Sequence, residues 1–190
     1  MNVDADTIAA AATAAVKSRG PAPVHLWNPP HSGDLDMYIA RDGTWYHEGS
    51  PINRPAMVKM FSNILRKDSD DYVLVTPVEK VGITVEDAPF ITEDFEVSGD
   101  GNTQVLTFET HVGDFAAAGP DNPIRVVIDP DTDEPAPYVT VRANLEARIT
   151  RKAFYRLVEL GAHQEINGQS MFGVMSSGVF FTFLPSKALD

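Results

Sequence analysis

INRPAMVKMF (Ile52–Phe61) and ITRKAFYRLV (Ile149–Val158) are two copies of one pattern. Ile52, Arg54 and Ala56 recur as Ile149, Arg151 and Ala153, Lys59 is matched by Arg156, and Met57, Met60 and Phe61 are matched by Phe154, Leu157 and Val158. Apolar residues at this spacing line one face of a helix, so the chain carries the same amphipathic helix twice, start signal included. A repeated supersecondary unit points to an architecture and to a seam between its copies. It carries no reaction chemistry by itself.

Ahead of the first copy, DMYIARDGTWYHEGSPI (Asp36–Ile52) reads as a hairpin turning at Asp42-Gly43. Asn53 is expected to cap the helix, and Pro55 falls in its first turn, where a missing amide hydrogen costs nothing. Met57, Met60, Phe61, Ile64 and Leu65 give one buried face, and the helix is expected to end near Arg66. Tyr72–Val75 and Val81–Val85 follow as a strand pair. The second copy repeats the order: strands Tyr138–Ala143 and Leu145–Ile149, a helix capped by Thr150 and closed by a left-handed Gly161, then strands Phe172–Met175 and Val179–Phe183.

Between the copies, Ile91–Val97 and Thr103–Thr110 flank GDGN as another hairpin, and Ile124–Ile128 is a further strand. A short helix, Thr7–Lys17, opens the chain. The expected fold is α+β: two tandem β-β-α-β-β units, their mostly antiparallel sheets each packed on one helix. The reading divides the chain into an N-terminal helix (1–20), a first unit (21–86) and a second unit (87–190) with an acidic, strand-rich insertion at 87–135.

A chain of 190 residues, 43% of them hydrophobic, can bury a real core. It has no cysteine, which excludes a disulfide framework, a thiolate nucleophile and a cysteine zinc site. No run nears the ~20 apolar residues of a membrane span, and Asp4 and Asp6 stand where a signal peptide needs positive charge. A soluble, cytoplasmic protein is expected. The net charge is −12, and from Glu86 to Pro135 thirteen carboxylates stand against Arg125 alone. Such a surface argues against binding a nucleic-acid backbone.

Arg54 and Arg151 sit where the positive end of a helix dipole disfavours a cation by ~0.3–1 kcal/mol. Each therefore calls for an anionic neighbour: Glu79 or Asp87 for Arg54 and Glu146 for Arg151, or else a ligand at the seam. In RANLEAR, Arg142, Glu146 and Arg148 alternate onto one face of an extended chain, as an ion network or an anion site. The candidate ligand-binding set is Arg54, Glu79, Asp87, Arg142, Glu146, Arg148 and Arg151.

Catalytic signals are weak. His31, Asp34 and Asp36 could serve a metal-assisted hydrolase, but a turn and strand start accounts for the same residues. Asp129, Asp131 and Asp133 open like a calcium loop, yet Glu134 stands where its glycine belongs and Thr140 where its acidic twelfth residue belongs. Ser170 lacks the GxSxG setting, and the five histidines show no paired metal spacing. Trp45 and Tyr46 point to opposite sides of a hairpin arm, one toward the core. No catalytic residue, metal site or cofactor is assigned.

GDLDMYIARDGTWYHEGSPINRP, LVTPVEK, ITVEDAPF, YVTVRANLEARITR and GVMSSGVFF, in that order from Trp27 to Phe183, closely resemble a bacterial domain-of-unknown-function family, number 1285. The last motif carries Met175 where that family usually has Trp. The resemblance implies an α+β fold of tandem similar motifs and a role in signal transduction, with no activity attached. Together these readings lead to three expectations: a non-catalytic module holding a small anionic ligand or protein partner at the seam, a metal-assisted hydrolase, or an acidic scaffold meeting a basic partner. A monomer or weak homodimer is expected in each case.

Overall fold

The computed structural model describes residues 5–15, 22–130, 132 and 134–188. The fold is mixed α+β and divides into two compact units, Met1–Pro89 and Phe90–Asp190.

In the first unit, helix α1 (Ala5–Ala15) buries Ala5, Ile8 and Ala12, a helical stripe, and packs against helix α2 (Pro55–Asn63). The predicted end at Lys17 lies outside the described residues. Strands β1 (His31–Ile39), β2 (Trp45–His47) and β3 (Ser50–Pro51) precede α2, and β4 (Leu65–Asp68), β5 (Asp71–Val75) and β6 (Lys80–Val85) follow it. All six form one sheet, in the order β3-β2-β1-β6-β5-β4. Every pairing is antiparallel except β1 with β6. The Asp42-Gly43 turn forms as expected, with Gly43 at φ 83° and Thr44 N donating to Asp42 Oδ1 at 2.9 Å.

Alternation on β1 sends Leu35, Met37 and Ile39 into the core, where Trp45 lies nearly parallel to Phe61 with ring centroids 6.2 Å apart. Tyr46 stays partly exposed against Tyr38. The helical reading of Ile64 and Leu65 is corrected: α2 stops at Asn63, Ile64 caps it, and Leu65 begins β4. Both residues are buried all the same. An apolar pair at a helix end satisfies helical spacing whether the next residue coils or extends, so periodicity runs past the true boundary.

The described residues of the second unit form three sheets. One is β11 (Ile124–Ile128), β12 (Pro135–Arg142), β13 (Leu145–Ile149) and β7 (Phe90–Thr92), with β7 parallel to β13. The second is β10 (Phe115–Ala117), β9 (Val105–Glu109) and β8 (Phe95–Ser98), and the third is the meander β14 (Ala162–Ile166), β15 (Gln169–Ser176) and β16 (Val179–Pro185). Helix α3 (Arg151–Glu159) buries Ala153, Phe154 and Leu157. Thr150 caps it by accepting from Ala153 N at 3.5 Å.

Three readings change here. The single strand Ile91–Val97 is two, broken where Thr92 Oγ1 donates to Asp94 O and Phe95 N to Asp94 Oδ1, each at 2.8 Å. Gly161 is not left-handed: Leu160 caps α3, and Gly161 is needed because a Cβ there would run into the Phe172 ring. Each helix is followed by three antiparallel strands, not two. Exposure along β14 erases the alternation that would have revealed it. In both units, then, a hairpin leads into a helix and the helix into a three-stranded meander. The meander of the first unit returns beside its hairpin, whereas that of the second forms a sheet of its own.

Candidate functional site

The seven nominated residues meet different fates. Arg151, the first residue of α3, bonds Glu134 at 2.7 Å, and this corrects the pairing expected with Glu146. Glu146 is gripped at both oxygens by Arg125, Nε and Nη2 each at 2.6 Å, while the Arg125 guanidinium lies 4.3 Å from the centre of the Tyr138 ring. The register explains the exchange. Arg125 pairs with Tyr138, Tyr138 with Arg148 and Thr140 with Glu146, which puts Arg125, Tyr138, Glu146 and Arg148 on one face of the sheet.

Arg142 leaves that face. The register slips between Thr140 and Arg142, so that Arg142 pairs with Leu145 and lies on the opposite face from Glu146 and Arg148. It stacks on Phe90, 4.9 Å from the ring centre, and bonds Asp114, whose side chain is 10% exposed. Burial pulls the Arg142 guanidinium below its ordinary value, and Asp114 opposes that. These are internal networks in which each buried charge has a counter-charge.

Arg54 differs. It is the N-cap of α2 in extended conformation (φ −116°, ψ 100°), not a first-turn residue, and the expected cap Asn53 lies one position earlier. Among the described residues no side chain caps the start of α2. Neither Glu79 nor Asp87 reaches Arg54, and among the described residues it has no ion pair. Glu79 closes a turn in which its backbone N–H donates to Thr76 Oγ1 at 3.2 Å. Arg54 lines a groove of about 270 Å³ with Asp6, His47, Ser50, Asn53 and Met57, and Asp6 makes no ion pair with it.

The metal-assisted reading of His31, Asp34 and Asp36 is not met. His31 Nε2 stands 3.5 Å from Asp34 Oδ1 in a groove of about 460 Å³ shared with Asp68, Asp71, Tyr72 and Lys80, and Asp36 lies outside it. Among the described residues no three His, Asp or Glu side chains stand at metal-ligand spacing. Asp131 and Asp133 lie outside the described residues. Asp68 is held at two points by Arg66 (2.6 and 2.8 Å) and by Lys80 (2.8 Å), which brings its carboxyl down to about 2. Arg66 also donates to the Val24 and Trp27 carbonyls at 2.7 Å each, tying that segment across the sheet face.

Two groupings escaped the sequence reading because their members are far apart in the chain. Ser170, Ser186 and His163 form a hydrogen-bonded run, with Oγ to Oγ at 2.8 Å and Ser186 Oγ to Nδ1 at 2.7 Å. The His163 ring rests on Phe172, and among the described residues no carboxylate orients its other nitrogen, so the third member of a triad is missing. In the second unit, Glu93, Glu96, Glu109 and an exposed Phe115 line an open groove of about 550 Å³. His111, at its edge, accepts from Ile91 N at 3.2 Å and so has a structural task.

No described helix is long and apolar enough to cross a membrane. No curated protein matches the chain. A DUF1285 family protein from Silicibacter pomeroyi DSS-3, known from its crystal structure, is 62% identical over 96% of this chain and 97% of its own, with a TM-score of 0.86. A second, from Shewanella baltica OS155, is 28% identical over 66% of this chain and 91% of its own, with a TM-score of 0.53. The N-terminal domain of the domain of unknown function DUF1285 matches residues 22–88, and the C-terminal domain matches residues 89–183. On these matches the chain belongs to the DUF1285 family, through both of its domains.

Proposed function

We propose that this protein is a non-catalytic binding module that takes a small anionic group at Arg54, acting in bacterial signal transduction. One observation carries the reading: Arg54 stands at the start of α2 without a carboxylate partner among the described residues, while Arg125, Arg142 and Arg151 are held by the protein's own acids. A cation at the positive end of an uncapped helix is electrostatically unfavourable until an anion joins it. His47, Ser50 and Asn53 supply further polar groups around the same groove. A cysteine-free, acidic chain suits the cytoplasm, and a monomer or weak homodimer suits a groove built within one unit.

The test is thermal denaturation of the full chain with inorganic phosphate, sulfate and citrate, for the wild type and for Arg54→Met. Binding to the native state raises the midpoint with ligand concentration. A rise in the wild type that is absent in R54M supports the reading. Equal rises in both proteins, or none in either, overturn it.

A second reading rests on the open groove of Glu93, Glu96, Glu109 and Phe115: the acidic middle of the chain meets a basic protein partner. Exposed charge pairs are screened by salt, so partner capture at low ionic strength should vanish near ~0.5 M salt. Capture that persists at high salt counts against it.

A further inference from the structure

On the outward face of the six-stranded sheet, Gly82 leaves a notch, and β1 is bent to aim a carboxylate into it. The register of β1 against β6 slips between His31 and Asp34 and again between Asp34 and Tyr38. Gly33 takes φ 109°, a conformation open to glycine and little else. Irregularities of this kind re-aim side chains. Here they lay Asp34 over Gly82 so closely that a Cβ on residue 82 would collide with its carboxylate. This arrangement requires both glycines.

The other side of the notch offers a fixed cation. Lys80 is anchored 2.8 Å from Asp68, which Arg66 grips at two points. Asp68 stays ionised in this setting, and an ammonium has three hydrogens, so Lys80 keeps donors to spare. Among the described residues the partner of Asp34 is His31, at 3.5 Å. His31 pairs with Lys80 and Asp34 with Gly82, so Asp34 and Lys80 line one groove from the neighbouring strands β1 and β6. An α-amino acid carries an ammonium and a carboxylate on one carbon, so one small molecule meets both charges of the groove.

We propose that this notch binds a small zwitterion of the α-amino-acid class, its ammonium on Asp34 and its carboxylate on Lys80. A groove of about 460 Å³ accommodates such a molecule, side chain included. The donor set favours an organic ammonium over a metal ion, because no third His, Asp or Glu joins His31 and Asp34 at metal-ligand spacing among the described residues. The site uses none of the residues around Arg54, so either proposal can fail without the other.

Isothermal titration calorimetry of the full chain decides it, with the twenty protein amino acids supplied singly and propionate and ethylamine as single-charge controls. At least one amino acid should bind, and neither control should. Asp34→Asn, nearly isosteric, should weaken binding at least about tenfold. Gly82→Ala should do the same, while Asp36→Asn, on the same strand but outside the notch, should leave binding unchanged. Heat from no amino acid overturns the proposal, as does undiminished binding in D34N. Binding of ethylamine as tightly as the amino acid also overturns it, by making the notch a simple cation site. If G82A fails to fold, D34N decides alone.

Discussion

Arg66 and Asp68, on the same outward face of β4, form a two-point ion pair, Nε to Oδ1 at 2.6 Å and Nη2 to Oδ2 at 2.8 Å, and Lys80 of β6 completes it from across the sheet. Asp68 titrates at about 2 in the folded protein, below its ordinary 3.8, first because Arg66 donates to it, with Lys80 adding to the effect and partial burial opposing it. Its folded value is depressed, so the stabilisation is fully present above the unfolded value and is lost as pH falls through the folded one. Discounted for partial exposure, it amounts to roughly 1–2 kcal/mol. Urea midpoints of wild type and Asp68→Asn should therefore differ at pH 6 and converge between pH 4 and pH 2. A difference constant with pH contradicts the assignment.

Gly161 and Phe172 share one space, so Gly161→Ala must displace an aromatic ring. Overpacking of this kind costs about 1–3 kcal/mol. Phe172→Leu in the same chain should restore part of the loss. Denaturant midpoints of the two single variants and the double variant measure this, and purely additive losses would show that the ring is not what excludes the methyl group.

Arg142 neutralises Asp114 in a largely buried setting and covers Phe90. Removing one partner leaves an uncompensated charge, so Arg142→Met should cost about 3–5 kcal/mol. R142M combined with Asp114→Leu should cost clearly less than R142M alone. The same double-mutant cycle at Arg151 and Glu134, both well exposed, should give a coupling below about 1 kcal/mol.

Trp45 is buried, and its indole Nε1–H has no hydrogen-bond partner among the described residues. Trp45→Phe shrinks the side chain but also removes an unpaired buried donor, two effects of opposite sign. Its cost should stay below about 1.5 kcal/mol. Phe61→Ala, which empties the other half of the same stack, should cost about 3–5 kcal/mol. Similar losses for the two would mean that the unpaired N–H carries no penalty.

Much of the fold was legible in the chain. The Asp42-Gly43 turn, the cap at Thr150 and the strand Ile124–Ile128 were all readable, because each depends on a few consecutive residues. The misread points lie where local patterns are ambiguous. Leu65 is buried both as the last position of a helical stripe and as the first of a strand, and β14 has no buried alternation to show. Gly161 carries the signature of a helix stop, yet it is required by a ring eleven positions away. Arg142 and Arg151 followed the same rule: their need for anions was readable, but the choice of Asp114 and Glu134, 28 and 17 positions away, depends on how the chain folds back.

By itself, then, the sequence determined a repeated helix with strands on both sides, a cysteine-free acidic chain, and charges in need of partners. Those properties follow from composition and from periodicities of a few residues, which near neighbours set. Tertiary structure alone decided that β6 returns beside β1, that Asp34 lies over Gly82, and that Arg54 makes no ion pair among the described residues. Such contacts join strands far apart in the chain. Their geometry is set by the packing of the sheet as a whole, which no local run of residues encodes.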